Sequence, residues 1–142
     1  MRLALQTDYA LRTLLYLATA RHRATVTEIS SFYSISVNHL GKVVHQLGQL
    51  GYLRNVRGPG GGIELLRPST EITVGALIRD FEKRNIHFLE CAYNEDVCVI
   101  QPGCRLRGVL AEAERRQMEY LDGVTLESLC PPAGGLVTLK VP

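Results

Sequence analysis

Six residues, Arg57-Gly58-Pro59-Gly60-Gly61-Gly62, constrain this chain more than any other stretch. Glycine there weakens a helix or strand, and proline breaks a helix and cannot donate within a sheet, so the segment must be a turn that admits positive φ. The residues on either side alternate: Tyr52-Leu53-Arg54-Asn55-Val56 before it and Ile63-Glu64-Leu65 after it. The spacing therefore predicts a β-hairpin. Glycine-rich loops also cradle phosphates, but no helix follows at once and no Gly-Lys-Ser/Thr ending is present, which argues against a nucleotide P-loop.

What precedes the hairpin gives it meaning. Thr25-Val26-Thr27-Glu28 is a capping-box pattern, in which hydroxyl and carboxylate each satisfy a backbone donor of the other, and it predicts a short helix to about Tyr33. Ser34-Ile35-Ser36 makes a turn. Ser36 is then a suitable N-cap for a helix with apolar positions Val37, Leu40, Val44 and Leu47, ended by Gly51. Two short helices across a three-residue turn, followed by a hairpin, form a winged helix-turn-helix pattern. In that arrangement Asn38 and His39 can meet base edges, Lys42 and Arg54 phosphates, and Arg57 a groove at the wing tip. Plain solvated charge is the competing reading for Lys42 and Arg54. Residues 1–70 carry a formal charge of +5 and residues 71–142 carry −3, which favours a polyanion facing the first half.

The rest of the chain reads as mainly helical. Residues 7–20 fit an amphipathic helix with Leu11, Leu14, Leu15 and Ala18 on its apolar face and Thr7 as N-cap. Asp8 falls three residues before Leu11, so it is expected along the buried stripe, with Arg12 one turn on as a partner. Residues 73–82 read as a further helix, 85–104 show no period, and Arg105 to about Leu121 forms a long helix with Leu106, Val109, Leu110, Ala113, Tyr120 and Leu121 on one side. Such a helix beside a small head needs a surface to cover it, and a second copy is the economical choice, since two half-sites call for two heads. The expected organisation is a DNA-binding head at 1–84, a cysteine loop at 85–104, a dimerisation region at 105–129, where 125–129 adds one more turn, and an irregular tail at 130–142. The longest apolar run, Leu14 to Ala18, is far short of the roughly 18 residues needed to span a bilayer, and no secretory leader is evident, so a cytoplasmic protein is expected.

Cys91, Cys98 and Cys104 fall within 14 residues, whereas Cys130 stands apart and reads as a packed bystander. The spacing Cys-x6-Cys-x5-Cys lacks the close pairs of a zinc knuckle, and three thiols in a loop containing Pro102-Gly103 suit a group larger than one ion. Thiolates are the usual ligands of iron–sulfur clusters. A cubane needs four ligands. Arg107 cannot ligate, His87 lies on an apolar approach where packing is the usual role, and Glu90, Glu95, Asp96 and Asp8 all remain open.

Gln6-Thr7-Asp8-Tyr9-Ala10-Leu11-Arg12, Ser36-Val37-Asn38-His39-Leu40-Gly41-Lys42-Val43-Val44, Val56-Arg57-Gly58 with its glycines, Cys104-Arg105-Leu106-Arg107-Gly108-Val109-Leu110 and Leu121-Asp122-Gly123-Val124-Thr125-Leu126 have a joint likeness. Together they resemble the nitric-oxide-sensing, NsrR-like branch of the Rrf-type bacterial iron–sulfur repressors, over about residues 1–129. The resemblance implies a homodimeric repressor with no enzymatic activity, whose cluster stabilises the form that holds operator DNA until nitric oxide attacks it. It also implies that Cys91, Cys98 and Cys104 hold a 4Fe-4S cluster, with 2Fe-2S as the smaller alternative, and that Asp8 from the other subunit is the fourth ligand. In the cluster-biogenesis branch a histidine stands three residues after the third cysteine, where this chain has Arg107. The gap between Cys91 and Cys98 is also similar to iron-responsive members, so an iron- or redox-responsive regulator is the alternative, with a zinc or thiol-switch factor behind it.

Overall fold

A computed structural model describes residues 2–131. It consists of α1 (Leu5–Ala20), α2 (Val26–Tyr33), α3 (Val37–Gln49), β1 (Leu53–Val56), β2 (Gly62–Leu65), α4 (Val74–Glu82), α5 (Arg105–Asp122) and α6 (Leu126–Leu129). Three single 3₁₀ turns lie between α4 and α5. The fold is the mainly helical, winged helix-turn-helix architecture expected, with a long helix after it. No helix among the described residues is long and apolar enough to cross a membrane.

The reading head forms where its local signals place it. Thr25 Oγ1 accepts from Glu28 N at 3.1 Å and Glu28 Oε2 accepts from Thr25 N at 2.5 Å, so the capping box starts α2 as its spacing requires. Ser34 ends α2 in the left-handed region (φ 55°), and α3 starts at Val37. The apolar face of α3 is Leu40, Val43, Val44 and Leu47; Val37, expected on it, is the first residue of the helix and is exposed. β1 and β2 pair antiparallel with Leu53 opposite Leu65 and Val56 opposite Gly62. Gly62 (φ 149°) passes so close to the turn before α2 that a Cβ would lie 2.6 Å from the Ala24 carbonyl. That approach lets Ala24 and Ile63 exchange backbone hydrogen bonds at 3.1 and 2.7 Å, a third rung beside the wing.

Helix α1 departs from its expected start. It begins at Leu5, two residues early, and Thr7 is not a cap but a fully buried residue inside the helix. The reason is Glu82 at the end of α4. Its Oε1 accepts from Ala4 N at 2.7 Å and from Thr7 Oγ1 at 2.5 Å, so a carboxylate 75 residues away satisfies donors at the helix start. The buried face of α1 is Thr7, Ala10, Thr13, Leu14, Leu17 and Ala18, with Leu11 and Leu15 only half-buried. Asp8 therefore sits on the flank rather than along the buried stripe, half-exposed, and bonds Arg12 at 2.9 Å.

The core gathers Ala10, Leu14, Leu17, Ile29, Leu40, Leu47, Tyr52, Leu53, Ile63 and Leu77, together with Leu126 from beyond α5. Leu126 arrives because the segment after α5 runs back alongside α4: Val74 N donates to Val124 O at 2.9 Å and Leu126 N to Ile72 O at 2.9 Å. The far end of α5 meets the start of α4 at Gly75, where a Cβ would collide with the Asp122 carboxylate, and Arg79 pairs with Asp122. Helix α5 itself buries no residue, and Leu106, Val109 and Tyr120 are exposed. The tail expectation falls, from residue 132 on, outside the described residues.

Candidate nucleic-acid interface and cysteine loop

Helix α3 presents Asn38, His39 and Lys42 on its solvent side, since Leu40, Val43 and Val44 take the inner face. Arg57 leaves the end of β1 into the turn, also exposed. Among the described residues these four side chains have no hydrogen-bond or ionic partner, so they face solvent with their donors available. Arg54 differs. Its Nε bonds Glu64 Oε1 at 2.6 Å across the hairpin, while Arg23 bonds the other oxygen at 2.9 to 3.0 Å. The hydrogen bond from Arg54, reinforced by the one from Arg23, holds the Glu64 carboxyl below its usual range. Two guanidiniums on one carboxylate leave a net positive charge at the base of the wing. Arg23 also donates to Gly60 O at 3.2 Å, tying the wing turn to the α1–α2 junction.

The three clustered cysteines all lie on the irregular segment between α4 and α5. Cys91 is in a 3₁₀ turn and half-buried, Cys98 is exposed, and Cys104 is the N-cap of α5 and half-buried. Cys130 stands away from them, with its Sγ 3.7 Å from Thr19 Oγ1 and 3.4 Å from Leu126 O, packed against the head as expected of a bystander. Within one chain, no three His, Cys, Asp or Glu side chains among the described residues converge on a single metal-ion position. A cluster contains several irons, so its ligands need not point at one centre. Three free thiols on one loop, none shut into the core, match the sulfur-donor chemistry of an iron–sulfur cluster. Asp8 lies on α1, outside this loop, and its exposure leaves it open to a second chain.

Two residues that hold the loop were not anticipated. Gln101, flanked by Ile100 and Pro102, is buried, and its side chain donates to Asn94 O at 2.9 Å and Cys91 O at 3.4 Å while accepting from Val97 N at 3.2 Å. Glu114 of α5 accepts from Phe88 N at 2.5 Å and from His87 Nδ1 at 2.9 Å. Burial pushes the Glu114 carboxyl up, but the His87 and Phe88 bonds outweigh it and leave it below the usual range. His87 is thus a structural tie, in line with packing rather than ligation. A helical carboxylate one turn from Leu110 carries no pattern that marks such a role, and nothing but its place between two cysteines singles out Gln101.

The family described as "Rrf2: Iron-dependent Transcriptional regulator" matches residues 3–132. The chain is 42% identical over 132 residues to the HTH-type transcriptional regulator NsrR of Bacillus subtilis (strain 168), covering 91% of this chain and 90% of that one. It is 39% identical over 142 residues to the protein of the same name from Geobacillus kaustophilus, covering 98% and 96%. Among solved structures, CymR, the global cysteine regulator of B. subtilis, superposes with a TM-score of 0.74 at 24% identity, covering 91% of this chain and 95% of that one. T. potens IscR superposes with a TM-score of 0.71 at 22% identity over 91% and 85%, and both likenesses concern the fold. The match to most of the sequence, carried by a winged head and a long helix, settles the family and places the chain among regulators rather than enzymes: it belongs to the Rrf2 family of transcriptional regulators.

Proposed function

We propose that the chain is a cytoplasmic, homodimeric repressor whose operator binding depends on an iron–sulfur cluster, 4Fe-4S in preference to 2Fe-2S, that responds to nitric oxide. The observation that carries this reading is the coexistence of an exposed reading face with a loop that carries three free thiols at the head of α5. The name shared by relatives at about 40% identity favours nitric oxide over iron or redox state as the signal. When bound, the cluster would supply iron with affinity for a small diatomic ligand such as nitric oxide.

The chain's own residues do the rest. Cys91, Cys98 and Cys104 serve as thiolate ligands, and Asp8 of the partner subunit supplies an oxygen, a weaker donor in this soft setting. Giving up the Asp8–Arg12 pair costs little, since an exposed i,i+4 pair contributes about 0.3–0.5 kcal/mol. Asn38 and His39 read base edges, Lys42 and Arg54 contact phosphates, and Arg57 enters a groove at the wing. Arg54 can keep its bond to Glu64 as it does so, because that bond uses its Nε and leaves the terminal guanidinium nitrogens for a phosphate. Two heads linked through α5 then span half-sites roughly 34–36 Å apart.

Anaerobic titration with nitric oxide, following visible absorbance and operator binding together, tests the reading. Loss of both at matching doses is expected. Operator release by an iron chelator at doses where nitric oxide leaves binding intact would make the protein an iron sensor instead.

A further inference from the structure

Between Lys83 and Thr125, Gln101 is the one buried residue among those whose burial is described, and it is polar. A carboxamide withdrawn from water where no apolar side chain is buried is there for its hydrogen bonds. Side chain and main chain of Gln101 together reach the backbone at all three clustered cysteines. Its Nε2 donates to Cys91 O at 3.4 Å, its own N–H donates to Cys98 O at 3.1 Å, and its carbonyl accepts from Cys104 N at 3.4 Å. Further bonds to Asn94 O and from Val97 N close the stretch between the first two cysteines around the same side chain.

We propose that Gln101 is a positioning residue for the cluster thiols, whose carboxamide ties the stretch from Cys91 to Val97 to the turn that carries Cys98 and Cys104 before iron arrives. This rests on the cluster reading above. Preorganised ligands bind metal more tightly because the loop's ordering cost is met in advance, and residues that orient metal ligands typically change affinity 10- to 100-fold when replaced. The bonds to Cys98 O and from Cys104 N are main-chain bonds that another residue would keep, whereas those to Cys91 O and Asn94 O and from Val97 N need two amide donors and an acceptor on a side chain of this length. Glutamate keeps the acceptor for Val97 N but cannot donate to Cys91 and Asn94. Leucine keeps the approximate volume and makes none of the side-chain bonds.

The test uses the full-length protein, purified and reconstituted anaerobically, as wild type, Gln101→Leu and Gln101→Glu. Iron and acid-labile sulfide per chain, the rate of iron loss to a chelator and the visible circular dichroism of the bound cluster are read in each, with amide exchange at Val97 in the iron-free state. Both variants should lose iron about 10-fold faster or more, with altered dichroism, and Gln101→Leu should also exchange faster at Val97, while thermal unfolding of the head stays where it was. Variants that load fully and release iron at the wild-type rate would overturn the proposal and leave the cluster reading standing. So would collapse of the head in both variants, since all the bonds of Gln101 lie within the loop. Wild type that contains neither iron nor sulfide would remove the cluster reading itself and this inference with it.

Discussion

The head and the arm of this molecule are held together by different forces. The head buries Leu14, Ile29, Leu40, Leu47 and Leu77 completely, whereas α5 buries nothing and leaves Leu106, Val109 and Tyr120 in solvent. What fastens the arm and its cysteine loop is polar: Glu114 to His87 and Phe88, Arg79 to Asp122, and Gln101 within the loop. A region secured by hydrogen bonds and ion pairs at its surface opens at lower free energy than a closely packed core. The head is therefore rigid by itself, whereas the arm and its cysteine loop open more readily.

The sharpest way to break that contrast is to shorten one apolar side chain in each region. Leu14→Ala should cost about 2–5 kcal/mol, read as a lowered denaturation midpoint, because it opens a cavity in a fully packed site. Val109→Ala should act only through association, as unfolding that depends on protein concentration. A loss as large as that of Leu14→Ala, and independent of concentration, would make the arm part of the single-chain core.

A smaller effect is expected at the joint between α1 and α4. Glu82→Ala strands the Ala4 N–H and the Thr7 hydroxyl and should cost about 1–3 kcal/mol, and Glu82→Gln, which keeps an acceptor oxygen, should recover most of it. Equal losses for the two substitutions in urea titrations would mean that charge, rather than acceptance, matters there. Asp8→Ala should barely move stability yet make the cluster release iron faster, and an indifferent cluster would remove Asp8 from the ligand set. Arg57→Ala should leave both unfolding and iron content unchanged and weaken operator binding in an electrophoretic shift assay. Undiminished binding would take the wing tip off the DNA.

The same contrast explains which features were legible in the amino-acid order. The capping box of α2, the turn at Ser34 and the hairpin around Gly62 depend on residues a few positions apart, so their chemistry shows in the sequence. The start of α1 depends on Glu82, and no local pattern at Thr7 betrays a partner contributed by another helix. Asp8 reads as inward when Leu11 and Leu15 share the stripe with Leu14 and Ala18, whereas Thr7, Ala10, Thr13 and Leu17 complete the face that is buried. The cysteine trio stood out by composition, while the glutamine that organises its backbone is one ordinary polar residue in an aperiodic stretch. Sequence patterns show what is repeated or adjacent; a single hydrogen-bonding hub is neither.

The crossing at Gly75 gives the long helix a fulcrum. Helix α5 has 18 residues at about 1.5 Å each, so Cys104 stands roughly 27 Å from the point where Asp122 rests on α4. A swing of only about 10° around that contact carries the far end through roughly 5 Å, which is more than the width of a hydrogen bond. The long helix is thus a lever hinged on the head, and any side chain larger than hydrogen at position 75 would shift the pivot.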